Sequence, residues 1–222
     1  MTLKQKSFLL LFTRMYLLNT NQKIYLSLLI LGTVIVLALL FYLVYKFFIS
    51  KKLMRFIVSR KLYRFANLND YLLLNEYKIK IDDKHDGIIN HVLITNKYIY
   101  VIHDFPYSGV IVGSANEEQL KLVDKKGERL IANMLNYNRN LTKRLGLYNG
   151  LDNTFLKGIV VLSNDSLVDI SDIPTQFAIS KASGIIHQIK KMDGNEVKPF
   201  KEDTIIDFIN RLNKENSVGD KE

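Results

Sequence analysis

The chain has 222 residues, 48% of them hydrophobic, with no cysteine and a formal net charge of +9. That length suits one domain and an anchor better than two full domains, and the missing cysteines exclude a disulfide framework, a thiol nucleophile and a thiolate-bound metal. A basic chain invites a nucleic-acid reading, but residues 1–69 hold eleven Lys and Arg and no Asp or Glu, leaving 20 bases against 22 acids in 70–222. The positive excess is therefore membrane-proximal, and the C-terminal domain itself is slightly acidic.

Residues 1–23 form a lead-in. Within it Ser7 to Leu18 is apolar but carries Arg14 and is too short to span a bilayer, so an interfacial helix is expected. Ile24 to Tyr45 follows as 22 residues without a charge, Asn, Gln or Pro. As a helix that run covers about 33 Å against a hydrocarbon core of about 30 Å. It shows no polar face at a 3.6-residue period, as a core helix of a soluble domain would. It also exceeds the apolar stretch of a cleaved signal peptide. The reading is one transmembrane helix over 24–49 and a single-pass protein of the cell membrane. Four bases precede the span and seven follow it, which by the positive-inside rule places the C-terminal domain in the cytoplasm.

Residues 50–69 mix bases with Leu53, Phe56, Ile57, Leu62, Tyr63 and Phe65. Lys46, Lys51, Lys52, Arg55, Arg60, Lys61 and Arg64 are candidate contacts for an anionic leaflet, each worth about 1 kcal/mol near the surface. The same stretch also reads as a stop-transfer flank that continues as a helix into the domain.

The domain is assigned to 70–212. Tyr71 to Ile81 reads as a strand and Asp82 to Gly87 as a turn. His91–Thr95 and Tyr98–Ile102, split by Asn96 and Lys97, read as a hairpin. Val110–Val112 and Leu120–Val123 continue the strands, with a turn at Asp124–Gly127. Leu130, Ile131, Met134, Leu135, Leu141 and Leu145 then recur at helical spacing and predict a helix ending at Gly146. Lys157–Leu162 reads as a buried strand. Asp203 or Thr204 caps a closing helix with Ile205, Phe208, Ile209 and Leu212 on one face, and 213–222 is a charged tail. The order gives an α+β or α/β layout around a central sheet.

The stretch from Asn90 through His91, Tyr98-Ile-Tyr-Val-Ile-His-Asp-Phe105 and Tyr107-Ser-Gly109 resembles the central motif of the nuclease-related domain (NERD) family. That pattern is an Asp-His start, two strands, a Glu-x-Lys signature and a Tyr-Ser-Gly-like turn. Val110–Gly113 is similar to the strand after that turn, Asn133–Arg139 to the family's Asn-Pro-Leu-x-Gln helix start, and Gly158–Ser163 to its later core strand. The likeness covers about residues 70–165. It implies a restriction-endonuclease-like mixed sheet flanked by helices, preceded here by one transmembrane helix, and DNA cleavage with a divalent metal.

Carried over residue by residue, the resemblance puts Asn90 where the metal-binding Asp belongs, His103 where the Glu belongs and Phe105 where the Lys belongs. The chemistry needs two carboxylates to hold Mg²⁺ through oxygen and a Lys to orient the attacking water or stabilise charge. An amide, an imidazole and a phenyl ring do not supply that set. The family's helix glutamate falls within 50–69, which contains no acid. The expectation is a nuclease-like pseudoenzyme with no catalytic residue and no cofactor, binding a protein partner or itself at the lipid bilayer. The alternative is a divergent nuclease for DNA or RNA using Mg²⁺, with Asp104 as fallback carboxylate and Asp82, Asp83 or Asp86 replacing the lost first one. Period-2 alternation puts Asp104 on the face opposite His103. A third reading is nucleic-acid binding without cleavage through 51–64.

Asp86, His91 and Asp104, with His103, form a weak candidate metal set. The plainer reading puts His91 in a hydrogen bond beside the sheet, His85 in a turn and His187 on a surface helix. There is no Gly-x-Ser-x-Gly elbow and no phosphate-cradling glycine loop. Tyr98, Tyr100, Phe105 and Tyr107 either stack bases or, lacking neighbouring Arg, pack the sheet or a partner.

Overall fold

The computed structural model describes residues 19–44, 50–80, 86–194, 199–200 and 205–211. The interfacial helix expected over 7–18, residues 82–85 of the turn expected over 82–87, the cap at Asp203 or Thr204, Leu212 and the tail lie outside those residues; Asp86 and Gly87 of that turn instead begin a strand, Asp86–Ile94. The chain divides into two compact units, Met1–Lys52 and Leu53–Glu222.

In the first unit, α1 (Thr20–Val44) is apolar on all sides. Asn19 starts it: its side-chain oxygen accepts from the Thr20 N–H at 2.8 Å, while Gln22 Oε1 accepts from the Asn19 N–H at 3.1 Å. The second bond is the returning half of a capping box. Thr33 donates its hydroxyl to the Leu29 carbonyl at 2.8 Å, so this polar group is satisfied without water. Thr20–Leu43 is long and apolar enough to cross a membrane, at about 1.5 Å per residue.

The second unit opens within α2 (Ser50–Leu68), which turns Met54, Val58, Leu62, Phe65 and Ala66 into the core. That is a stripe at helical spacing, so the segment read as a membrane flank is also the domain's first helix. Among the described residues nine strands follow: β1 (Leu72–Lys80), β2 (Asp86–Ile94), β3 (Ile99–Phe105), β4 (Gly109–Ser114), β5 (Gln119–Asp124), β6 (Gly127–Ala132), β7 (Leu156–Leu162), β8 (Ser166–Ser171) and β9 (Phe177–Lys181). They form two mixed sheets, ordered β1-β2-β3-β7-β9 and β6-β5-β4-β8. In the first, β1, β2 and β3 are antiparallel while β3, β7 and β9 run parallel. In the second, β8 is parallel to β4 and the other neighbours are antiparallel.

On one face of the five-stranded sheet lie α2 and α4 (Ile185–Asp193), with Ile185, Ile189 and Met192 packed on Tyr98, Tyr100, Ile102 and Ile159. On the other lie α3 (Met134–Asn149) and a helix over 205–211, through Leu141, Leu145 and Phe208. The four-stranded sheet closes over the end of β7, with Ile111, Leu120 and Leu122 against Val160 and Leu162. β7 is consequently buried at every residue, as a strand covered on both faces must be. This is the mixed sheet flanked by helices that the sequence predicts, with a second sheet split from it.

One predicted boundary is corrected. Leu130 and Ile131 belong to β6, which pairs with β5 across the turn from Asp124 to Gly127. Their helical spacing to Met134 is coincidental, because two residues of an exposed edge strand preceded the helix by the right interval. α3 starts at Met134 and runs past Gly146 to Asn149, where Gly150 closes it in the left-handed conformation at φ 61°.

Asn133 caps α3 and ties it to the second sheet. Its Oδ1 accepts from the Leu135 and Asn136 N–H groups, while Nδ2 donates toward the Ser114, Ala115 and Glu117 carbonyls, at 2.7 Å for the last. Loss of an N-cap oxygen costs about 0.5–2 kcal/mol, and carbonyls left without a donor add to it. Asn133→Ala is expected to lower the thermal midpoint by more than a cap loss alone. Asn133→Asp, which keeps the capping oxygen but not the donors, recovers only part, as read in thermal melts of the detergent-solubilised chain.

Candidate functional site

The strands of the resembling motif meet at a distortion in the β1–β2 pair. Leu74 and Tyr77, three residues apart, lie in the same apolar cluster, and so do Ile89 and Val92 on the facing strand. Period-2 alternation would place each pair on opposite faces. The change of phase comes from Glu76, whose φ of 54° is left-handed; for a side chain other than glycine this costs about 1–2 kcal/mol. Ladder pairing resumes at Asn75↔His91 on one side and Tyr77↔Ile89 on the other. The kink therefore falls opposite Asn90.

Asn90 is buried, and the register His91↔Ile102 sets it beside His103 on β3. Its amide is best oriented with Nδ2 within 2.9 Å of the His103 ring nitrogens and Oδ1 accepting from Arg55, at 2.9 Å from Nη2 and 3.1 Å from Nε. The opposite orientation would leave only a long 3.4 Å contact from the Asp104 N–H. The charged donors of Arg55 outweigh that contact. Arg55 Nη1 also lies 3.4 Å from Glu76 Oε1, with both side chains more than half exposed, so this ion pair adds little stability. Burial pushes the His103 imidazole down to about 4, against an opposing pull from Asp104. Arg55 and His91 lower it further. A neutral ring keeps a lone pair for the Asn90 amide.

Phe105 joins the same face. Its ring centroid is 4.9 Å from that of His103 and stacks on Tyr107 at 6.0 Å and 10°. Tyr137 of α3 meets His103 edge-on at 5.0 Å. The turn after Phe105 needs Gly109, because at φ 113° an added Cβ would sit 2.4 Å from the Val123 carbonyl oxygen. The aromatic group expected from the sequence thus divides: Phe105 and Tyr107 line this face, while Tyr98 and Tyr100 are sealed in the core.

On the opposite face, His91 bridges two strands. Asn75 Oδ1 has no hydrogen to give, so His91 Nδ1 donates to it at 2.6 Å. Nε2 lies 3.0 Å from Asp104 Oδ2, both side chains being almost fully buried. Asp104 Oδ1 is buried without a hydrogen-bond partner among the described residues. The expected hydrogen bond of His91 is there. Asn90 meets His103 and His103 meets Phe105 on one face, and Asp104 is turned away from His103. His91, His103 and Asp104 do not gather around one point, and among the described residues no three of His, Asp and Glu are placed to hold a metal ion. The side chains of Asp82, Asp83, His85 and Asp86 lie outside the described residues. His187 is exposed on α4.

Two candidate lipid contacts also reach into the domain. Arg55 faces Asn90 and Glu76, and Lys61 donates to the Ala182 and Ser183 carbonyls at 3.1 and 3.0 Å. Each lies beside the buried stripe of α2, close enough to reach the domain. Arg60 and Arg64 remain exposed; the side chains of Lys46, Lys51 and Lys52 lie outside the described residues. Glu76 and Tyr137 belong to the site and are missed by sequence reasoning, since neither the left-handed kink nor the approach of α3 leaves a local signal.

The family model of the nuclease-related domain (NERD) matches residues 55–163. The match starts at Arg55 on α2 and ends just past β7, so it takes in every residue of this cluster. No curated protein and no solved structure matches the chain.

The ordinary value for the His103 ring is 6.5. The unfolded state therefore binds more protons between 6.5 and about 4, and stability falls as pH drops through that window. Thermal midpoints of the detergent-solubilised protein are expected to decline from pH 6.5 to pH 4, and His103→Phe removes that part of the decline.

Proposed function

Since its folded domain belongs to the nuclease-related domain family, we propose that this protein is a single-pass, membrane-anchored pseudoenzyme whose cytoplasmic domain acts by binding a protein or a second copy of itself. The observation that carries the reading is the guanidinium of Arg55 bonded to the side-chain oxygen of Asn90. In the family resemblance that oxygen belongs to a carboxylate holding a divalent cation. Here a neutral amide faces a fixed positive charge, and a metal ion would have to displace the arginine against Coulomb repulsion. Mg²⁺ demands close oxygen ligands in near-octahedral array. Asn90, His103 and Phe105 offer one amide oxygen, already engaged, and two rings. The residues do not fit the metal.

Charge supports the same reading. With 24 bases against 22 acids in residues 53–222, the domain carries little excess to neutralise phosphates. The framework of the motif remains packed and capped, which a domain needs in order to bind even when it catalyses nothing. α1 supplies the anchor, and the excess of bases after it favours a cytoplasmic domain.

The full-length protein in detergent is expected to leave DNA and RNA intact with Mg²⁺ or Mn²⁺. Metal-dependent cleavage that vanishes in Glu76→Gln would overturn the reading and make relocated carboxylates the catalytic set. Orientation is tested through the absence of native cysteine. Leu130, which is 68% exposed on β6, is changed to Cys in whole cells. A membrane-impermeant maleimide is expected to label Leu130→Cys only after permeabilisation; labelling of intact cells would place the domain outside.

A further inference from the structure

The inner and outer faces of α2 differ in kind. The inner stripe is aliphatic and buried in the domain core. The outer stripe carries Phe56 at 60% exposure, Tyr63 at 63%, Arg60 and Arg64, which recur at helical spacing on one side. Neither Arg60 nor Arg64 is paired with a carboxylate among the described residues. No acid precedes Asp70 anywhere in the chain, so nothing in this part of the sequence offsets those charges. Large aromatic rings left in water beside free arginines are costly for a surface with no partner. They are what an interfacial helix presents to headgroups, rings at the acyl boundary and cations among phosphates. Only residues 45–49 separate α2 in sequence from α1.

We propose that the outer face of α2 is a docking surface for an anionic lipid bilayer, with Phe56 and Tyr63 inserted at headgroup level and Arg60 and Arg64 on lipid phosphates. The face carries both features that such a surface selects, apolar rings and uncompensated positive charge. A protein partner is disfavoured because Arg60 and Arg64 would need carboxylates brought to them, whereas anionic lipid supplies charge along the whole stripe. The inference rests on α1 as a membrane anchor. Arg55 and Lys61, on the flanks of α2, hold it to the rest of the domain.

The chain contains no Trp, so Tyr63→Trp gives a single tryptophan, excited selectively at the red edge of absorption, on the exposed stripe. The full-length variant is reconstituted into vesicles of phosphatidylcholine with phosphatidylglycerol, or of phosphatidylcholine alone, each with a nitroxide at the lipid headgroup. The expected result is a blue-shifted, quenched emission in the anionic vesicles only. It should be lost near 1 M salt, where the Debye length is about 3 Å, and in Arg60→Glu with Arg64→Glu, which weakens contact on the order of tenfold or more. A Leu130→Trp variant, on β6, serves as the unquenched control. Equal quenching in both vesicles, no quenching in either, or a response of the Tyr63→Trp signal to added DNA or RNA but not to lipid charge would overturn the proposal. Protein that fails to co-float with vesicles would instead overturn the anchor reading, which separates the two failures.

Discussion

The site depends on one contact, the guanidinium of Arg55 against the side-chain oxygen of Asn90. It joins α2 to β2, and it requires the β1–β2 pair to open where Glu76 turns left-handed. A residue in that conformation holds strain of about 1–2 kcal/mol, which persists only when surrounding contacts over-determine it. The contacts that do so are the resumed ladders on either side and the hydrogen bonds of Asn75 and Asn90 across the kink. His103, half-buried between Phe105 and Tyr137, stays neutral chiefly through desolvation, with Arg55 adding to the effect. An amide, a neutral ring and a phenyl group then make a consistent low-charge cluster. Restoring a carboxylate at one of these positions alone would leave the others mismatched.

The pleat of β3 keeps Asp104 out of this cluster. His103 and Phe105 share one face, while Asp104 is turned to the other and engaged with His91. Burial of that pair makes its geometry costly to disturb, because removing either partner leaves a polar group in an apolar interior. Asp104 thus works as a strand-bridging residue. Glu76 forms the kink, but its carboxylate lies beside Arg55, a cation already part of the chain.

Much of this was legible in the residues, and the rest was not for identifiable reasons. The hairpin from His91 to Ile102 and the buried β7 follow from alternation and apolar runs. The convergence of Asn90, His103 and Phe105 follows from register once the hairpin is drawn. Arg55 reads as one more membrane-side base by composition. Its inward reach depends on lying next to Met54 on the buried stripe, which becomes visible only when the helix is seen packed. The kink at Glu76 leaves no trace, since glutamate carries no preference for that conformation. Leu130 and Ile131 mislead because a short edge strand with one buried residue can mimic helical spacing. β8, β9 and α4 are short, and β8 is mostly exposed, so their patterns are too brief to stand out between turns.

A guanidinium stands where the family resemblance calls for a metal ion. Manganese titration followed by electron paramagnetic resonance tests it most directly, because free Mn²⁺ gives a six-line spectrum that binding removes. The detergent-solubilised protein should leave that spectrum unchanged, while a variant combining Arg55→Glu, Asn90→Asp and His103→Glu should diminish it. Stoichiometric loss of the signal with the native protein, reversed by Glu76→Gln, would contradict the account.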